Sequence, residues 1–139
     1  MTLKQIKVYI EGIAAKQANI HTVVKSGDIY DLNSLGDVQY GAFCMTQMPH
    51  TENDQFRTYH FYLFVVDRLL ADKTNKILIQ SNAIEVLSNI IREVRANDEL
   101  DVDETINYTT FTQRFSSECG GAYCTLSITV PISGCYEEY

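Results

Sequence analysis

The sequence predicts an α+β domain in which two helices lie on an antiparallel four-stranded sheet, in the order α-β-β-α-β-β. Three observations carry this expectation. Apolar residues recur at spacings of three and four in two separated stretches, as one face of a helix requires. Between and after those stretches run segments rich in Val, Ile, Phe, Tyr and Thr, the residues that suit a pleated sheet. The last of them, Ala122 to Val130, alternates without a break: Ala122, Cys124, Leu126, Ile128 and Val130 are apolar, and Tyr123, Thr125, Ser127 and Thr129 carry hydroxyls. A period of two means one buried face and one polar face. Strands that come in consecutive pairs form hairpins, with the helices left to cover the sheet.

Taken in order, Leu3, Ile6, Ile10, Ile13 and Gln17 mark a helix over residues 3–19, with Lys4, Lys7, Glu11 and Lys16 off its apolar stripe. From His21 to Asp37 the pattern breaks up, with Gly27-Asp28 and Gly36-Asp37 as turn signals. A strand over Val38–Gln47, a polar loop over Met48–Asp54 and a second strand over Phe56–Val66 make a long hairpin. The second strand has apolar or aromatic residues on both faces from about Phe61, which implies cover on both sides by a further layer, a neighbouring subunit or a loop over a strand at the sheet centre. Asp67–Asn75 connects to a helix over Lys76–Ala96, whose stripe is Ile84, Leu87, Ile91 and Val94. Asn82 and Glu85 have the spacing of a capping box, which would start the regular helix near Ala83. A third strand follows over Ile106–Phe115, and Cys119-Gly120-Gly121 turns the chain into the fourth, which Pro131 ends.

Length and composition bound the function. A chain of 139 residues, 45% apolar and 21% charged, makes one domain over 1–139 with a core of its own. No apolar run approaches the roughly 20 residues of a membrane span, and Met1–Gln5 lacks the layout of a secretory signal, so assembly in the cytoplasm is expected. The net charge of −7 is local. Residues 1–95 are balanced, whereas residues 96–139 hold eight acids against the single base Arg114. Five of the acids, Asp98, Glu99, Asp101, Asp103 and Glu104, crowd one segment. Such a segment repels phosphate and disfavours tight nucleic-acid binding there.

The search for chemistry yields no catalytic, cofactor-binding or metal-binding residues. His21, His50 and His60 fall in different elements, and no sequence spacing pairs them with a nucleophile. No phosphate-binding glycine loop or nucleophile elbow occurs. Cys44, Cys119, Cys124 and Cys135 lack zinc-site spacing and are expected to be reduced thiols. The expectation is a protein that is not an enzyme and uses no cofactor; a small-molecule or peptide-binding module without catalysis is the alternative.

Three stretches carry a resemblance. Ala18-Asn19-Ile20 leads to Ser26-Gly27-Asp28-Ile29-Tyr30-Asp31; Phe64-Val65-Val66-Asp67 leads to Asp72-Lys73-Thr74-Asn75; and Phe111-Thr112-Gln113-Arg114-Phe115 leads to Gly121-Ala122-Tyr123. With the order of elements, they resemble tail-terminator and head–tail connector proteins of tailed bacteriophages, virion proteins of crAss-like phages among them. The resemblance implies a homo-oligomeric ring, a hexamer or dodecamer, at the head–tail junction of the virion. Its partners would be neighbouring portal, connector or tail proteins, with genomic DNA passing the channel without tight binding and no membrane involved. It makes Asp98, Glu99, Asp101, Asp103 and Glu104 candidates for a channel lining. The loops containing His50, Thr51, Glu52 and Asn53, and Asp67, Arg68, Asp72 and Lys73, become candidate contacts between subunits.

Overall fold

A computed structural model describes residues 1–29, 41–69, 72, 74–114 and 118–132, apart from the side chains of 113, 114 and 118. Two helices and seven strands follow in the order α1 (Leu3–Ala15), β1 (Thr22–Val24), β2 (Ala42–Gln47), β3 (Thr51–Glu52), β4 (Phe56–Arg68), α2 (Lys76–Arg95), β5 (Asp101–Val102), β6 (Tyr108–Arg114) and β7 (Glu118–Pro131). Among the described residues, no helix is long and apolar enough to cross a membrane.

The sheet corrects the expected architecture. Among the described residues it has seven strands rather than four, and it is mixed: β1 pairs parallel with β2, and the other pairings there are antiparallel. The order across it is β1-β2-β4-β7-β5, with β3 also on β4 and β6 also on β7. The three unexpected strands are two or three residues long. Segments that short contain at most one repeat of a period-two pattern, so only pairing in space defines them. The predicted Val38–Gln47 strand is β2 from Ala42 onward, and residues 38–40 lie outside the described residues.

The long pair β4–β7 is the spine. Its ladder runs from Phe56↔Pro131 to Arg68↔Cys119. Tyr59, Phe61, Leu63 and Val65 of β4 share a face with Ala122, Cys124, Leu126, Ile128 and Val130 of β7, and all are buried in the main core. Leu126, Ile128 and Val130 therefore point inward as their alternation predicts, and Thr125 points to solvent.

Both helices cover that same face. Helix α2 buries Ile79, Gln80, Ala83, Val86, Leu87, Ile90, Ile91 and Val94, and the predicted stripe residue Ile84 is only half-buried at its edge. The helix starts at Lys76 rather than near Ala83, with Asn75 as an N-cap that makes no side-chain cap bond. Packing of Ile79 on Gly120, where an added Cβ would lie 3.1 Å from its Cδ1, carries the first turn. Helix α1 ends at Ala15 and is held at its start by Thr2, whose hydroxyl accepts from the Gln5 amide while the Gln5 side chain accepts from the Thr2 amide. Glu11, off the expected apolar stripe, is buried and paired with Lys7 at 2.8 Å and Lys25 at 3.9 Å.

Cys119-Gly120-Gly121 is not a turn. It lies inside β7, and an added Cβ on Gly121 would sit 1.9 Å from the Val65 carbonyl oxygen. Glycine here permits a close backbone approach between neighbouring strands, the other use of glycine in a sheet.

Candidate functional site

With both helices on one face, the described residues leave the other face of the sheet partly open, and it divides into three zones along β4 and β7. Nearest Arg68, a second small core buries Val24, Ile29, Ala42, Cys44, Val66 and Cys119. Burial disfavours the thiolate, so the Cys44 thiol is pushed up to about 11 and that of Cys124, on the main-core side, to about 12. Neither is a reactive nucleophile at neutral pH.

The middle zone is aromatic. Tyr62, Phe64, Phe111 and Tyr123 project from three adjacent strands, all half-exposed. Phe64 lies 5.3 Å from Tyr123 and 6.2 Å from Phe111 between ring centroids, and Tyr62 lies 5.9 Å from Tyr123. Gly121 stands opposite both Val66 and Phe111. These distances are those of favourable tilted and edge-on ring pairs.

The third zone, towards Phe56, is polar and uncharged along β4 and β7. The Thr58 and Thr129 hydroxyls meet at 3.0 Å, and His60 Nδ1 lies 2.7 Å from Ser127 Oγ. The His60–Ser127 pair brings together two residues separated by 67 positions, which no sequence spacing could reveal. Its geometry is that of a cross-strand hydrogen bond. His60 Nε2 faces Thr51 Oγ1 at 3.4 Å, where a catalytic triad needs a carboxylate. The nearest acidic residue by register, Asp103, bonds through its amide to the Ser127 carbonyl, on the side of Ser127 away from His60. Both residues also lie within the continuous β4–β7 ladder, and the His60 amide is taken by His50 Nδ1 rather than offered to an oxyanion.

The hairpin tip is more ordered than a loop. Thr51 and Glu52 form β3, and Asn53 Oδ1 accepts from the Gln55 and Phe56 amides at 2.8 Å each. Between β2 and β3 the edge of β4 lacks a backbone partner at one position. His50 fills it with a side chain: its Nδ1 accepts from the His60 amide at 3.1 Å, and its Nε2 reaches Gln47 Oε1 at 3.1 Å. These contacts define the tautomer with Nδ1 bare and Nε2 protonated. Desolvation, then the neighbouring His60, lower the His50 pKa from its ordinary value.

Register places the other expected residues. Asp67 and Arg68 belong to β4 rather than to a loop, opposite Gly120 and Cys119. Asp72 accepts from the Thr74 amide and hydroxyl, which holds its carboxyl below the usual range, and Lys73 lies outside the described residues. This connector is at the opposite end of β4 from the hairpin tip, about 40 Å away at the usual rise per residue. The acidic segment is instead beside the tip. Thr51, Thr58, Thr129 and Asp101 form one row across β3, β4, β7 and β5. Asp98, Glu99, Asp101 and Glu104 are exposed and Asp103 is half-buried. Their backbone is pinned, since the Arg95 guanidinium donates to the Asp103 and Glu104 carbonyls and Asn97 Oδ1 accepts from the Glu99 amide.

Among the described residues, no three His, Cys, Asp or Glu converge as a metal site. No protein-family model and no curated protein matches the chain.

Proposed function

We propose that this protein is a non-enzymatic structural subunit that assembles with its own copies into a ring at the head–tail junction of a virion, with DNA passing the bore. The observation that carries the reading is the open sheet face. Tyr62, Phe64, Phe111 and Tyr123 form a contiguous half-exposed aromatic patch, and among the described residues no helix lies over it. Contiguous apolar surface of this kind marks interaction sites. The occupant is a second copy: the aromatic patch itself carries no charged side chain, and the nearest acid on that face, Asp101, stands beyond Thr129 at the far end of the polar extension. Chains of net charge −7 can therefore approach over the aromatic zone with least repulsion. Ile77 and Leu78, 73% and 61% exposed just after the Asp67–Asn75 connector, supply a second apolar contact for a different face of the neighbour. Two unlike contact surfaces suit heterologous side-by-side association, which closes into a ring when the rotation divides a circle.

The acidic segment beside the hairpin tip fits a channel lining in this reading, because repeated carboxylates would keep DNA from adhering. Reversing Asp98, Glu99 and Asp101 to Lys in assembled particles should then retain DNA in a salt-sensitive manner.

Light scattering coupled to size exclusion, followed by electron microscopy, tests the assembly. The wild-type chain should form rings, alone or on isolated portal–tail complexes. Phe64→Ser with Tyr123→Ser should remain folded by circular dichroism yet fail to assemble. A wild-type chain that stays monomeric under both conditions overturns the reading.

A further inference from the structure

Away from the open face, the C-terminal end of α2 and the start of β6 enclose a cleft of about 220 Å³. Its polar wall is Ser88, Arg92, Arg95, Glu104 and Tyr108, and Ile91 and Ile106 supply apolar surface. Arg92 and Arg95 are both exposed in the last turn of the helix, three residues apart and so on neighbouring parts of its surface. Among the described residues, neither guanidinium lies within ion-pair distance of a carboxylate. That holds even for Glu104, which borders the cleft and accepts from Arg95 through its main-chain carbonyl.

Placement near the helix C-terminus accounts for two cations, since carbonyl dipoles favour positive charge there. It does not account for the hydroxyls gathered with them. Arg92 Nη2 donates to Ser88 Oγ at 3.2 Å, and Ser88 also interacts with the Tyr108 phenol. Burial raises the pKa of that phenol, which keeps it a proton donor at neutral pH. Among the described residues, the hydrogen bonds of Arg92 and Arg95 use only Nη2, which leaves Nε and Nη1 of both without a partner there.

We propose that this cleft binds a small tetrahedral oxyanion, phosphate or the phosphoryl head of a small phosphomonoester. Two guanidiniums and the one hydroxyl proton that the Ser88–Tyr108 contact leaves free supply donors from several directions. A group with three or four acceptor oxygens can use them, whereas a carboxylate would be satisfied by one guanidinium fork. The cleft belongs to one chain and shares no residue with the aromatic patch; Glu104 is the residue it has in common with the acidic segment.

The test is titration of the full chain with inorganic phosphate, sulfate and acetate at constant ionic strength, followed by the NMR signals of the arginine Nε–Hε groups. Phosphate should give saturable shifts at Arg92 and Arg95. Arg92→Gln should weaken binding by about tenfold or more, the usual consequence of losing a charge-assisted hydrogen bond. Ser88→Ala should weaken it several-fold, and Lys4→Gln, which removes an equal charge at an exposed site on α1, should leave it unchanged. Shifts that never saturate, equal weakening by Lys4→Gln and Arg92→Gln, or acetate binding as tightly as phosphate would each overturn the proposal. If Arg92→Gln fails to fold, Ser88→Ala still decides, because an anion held by bulk charge alone would ignore the lost hydroxyl.

Discussion

Replacing His50 tests whether a side chain completes the sheet ladder at the edge of β4. The His60 amide donates to His50 Nδ1 rather than to a backbone carbonyl, and the His50 ring lies edge-on to Tyr59 with centroids 5.2 Å apart. His50→Ala removes the acceptor and leaves a part-buried amide without its partner, which costs about 1–3 kcal/mol. His50→Asn offers an amide oxygen in place of Nδ1 and should recover part of that loss. The pH dependence is the sharper signature. The pKa of His50 is lowered in the folded state, so the unfolded chain binds the proton more readily. The contribution is therefore fully present above the unfolded value near 6.5 and is lost as pH falls from there through the folded pKa. Urea denaturation of wild type and His50→Asn from pH 5 to 8 isolates it as a difference, which cancels the other titrating groups. The wild-type advantage should shrink toward acid, and the protection of the His60 amide, taken relative to its intrinsic exchange rate at each pH, should fall over the same range. A difference that is flat in pH, or that grows toward acid, would refute the ladder role.

Two further outcomes follow from packing. Ile128→Ala removes a fully buried side chain from the middle of β7 and should destabilise the fold by ~2–5 kcal/mol in denaturant titration, whereas Thr125→Ala on the open face should stay within about half a kcal/mol. Gly121→Ala forces a methyl group to within 1.9 Å of the Val65 carbonyl oxygen, so β4 and β7 must separate locally. Its cost should exceed the roughly 1 kcal/mol typical of single substitutions, and a variant as stable as wild type would refute the close approach.

The sequence by itself determined the elements long enough to show a period. Leu126, Ile128 and Val130 alternate over a strand long enough that one register buries every apolar side chain, and the structure buries all three. The stripes of α1 and α2 are legible for the same reason, since burial selects the spacing. Where a residue serves a partner distant in the chain, that local signal disappears. Gly120 and Gly121 have the composition of a turn, yet packing of Ile79 and the approach of Val65 make them strand residues. Asn82 and Glu85 match a capping box, but the first turn of α2 is held by contact with the sheet. Only the tertiary structure decided the mixed seven-stranded sheet, because β1, β3 and β5 exist through their pairing and not through their own two or three residues. It also decided which candidate residues are neighbours: the acidic segment joins the hairpin tip across four strands, and the Asp67–Asn75 connector is left at the far end. The cleft under Arg92 and Arg95 was invisible for the same physical reason. Its hydroxyls come from α2 and β6, two elements that meet only because both pack on β7.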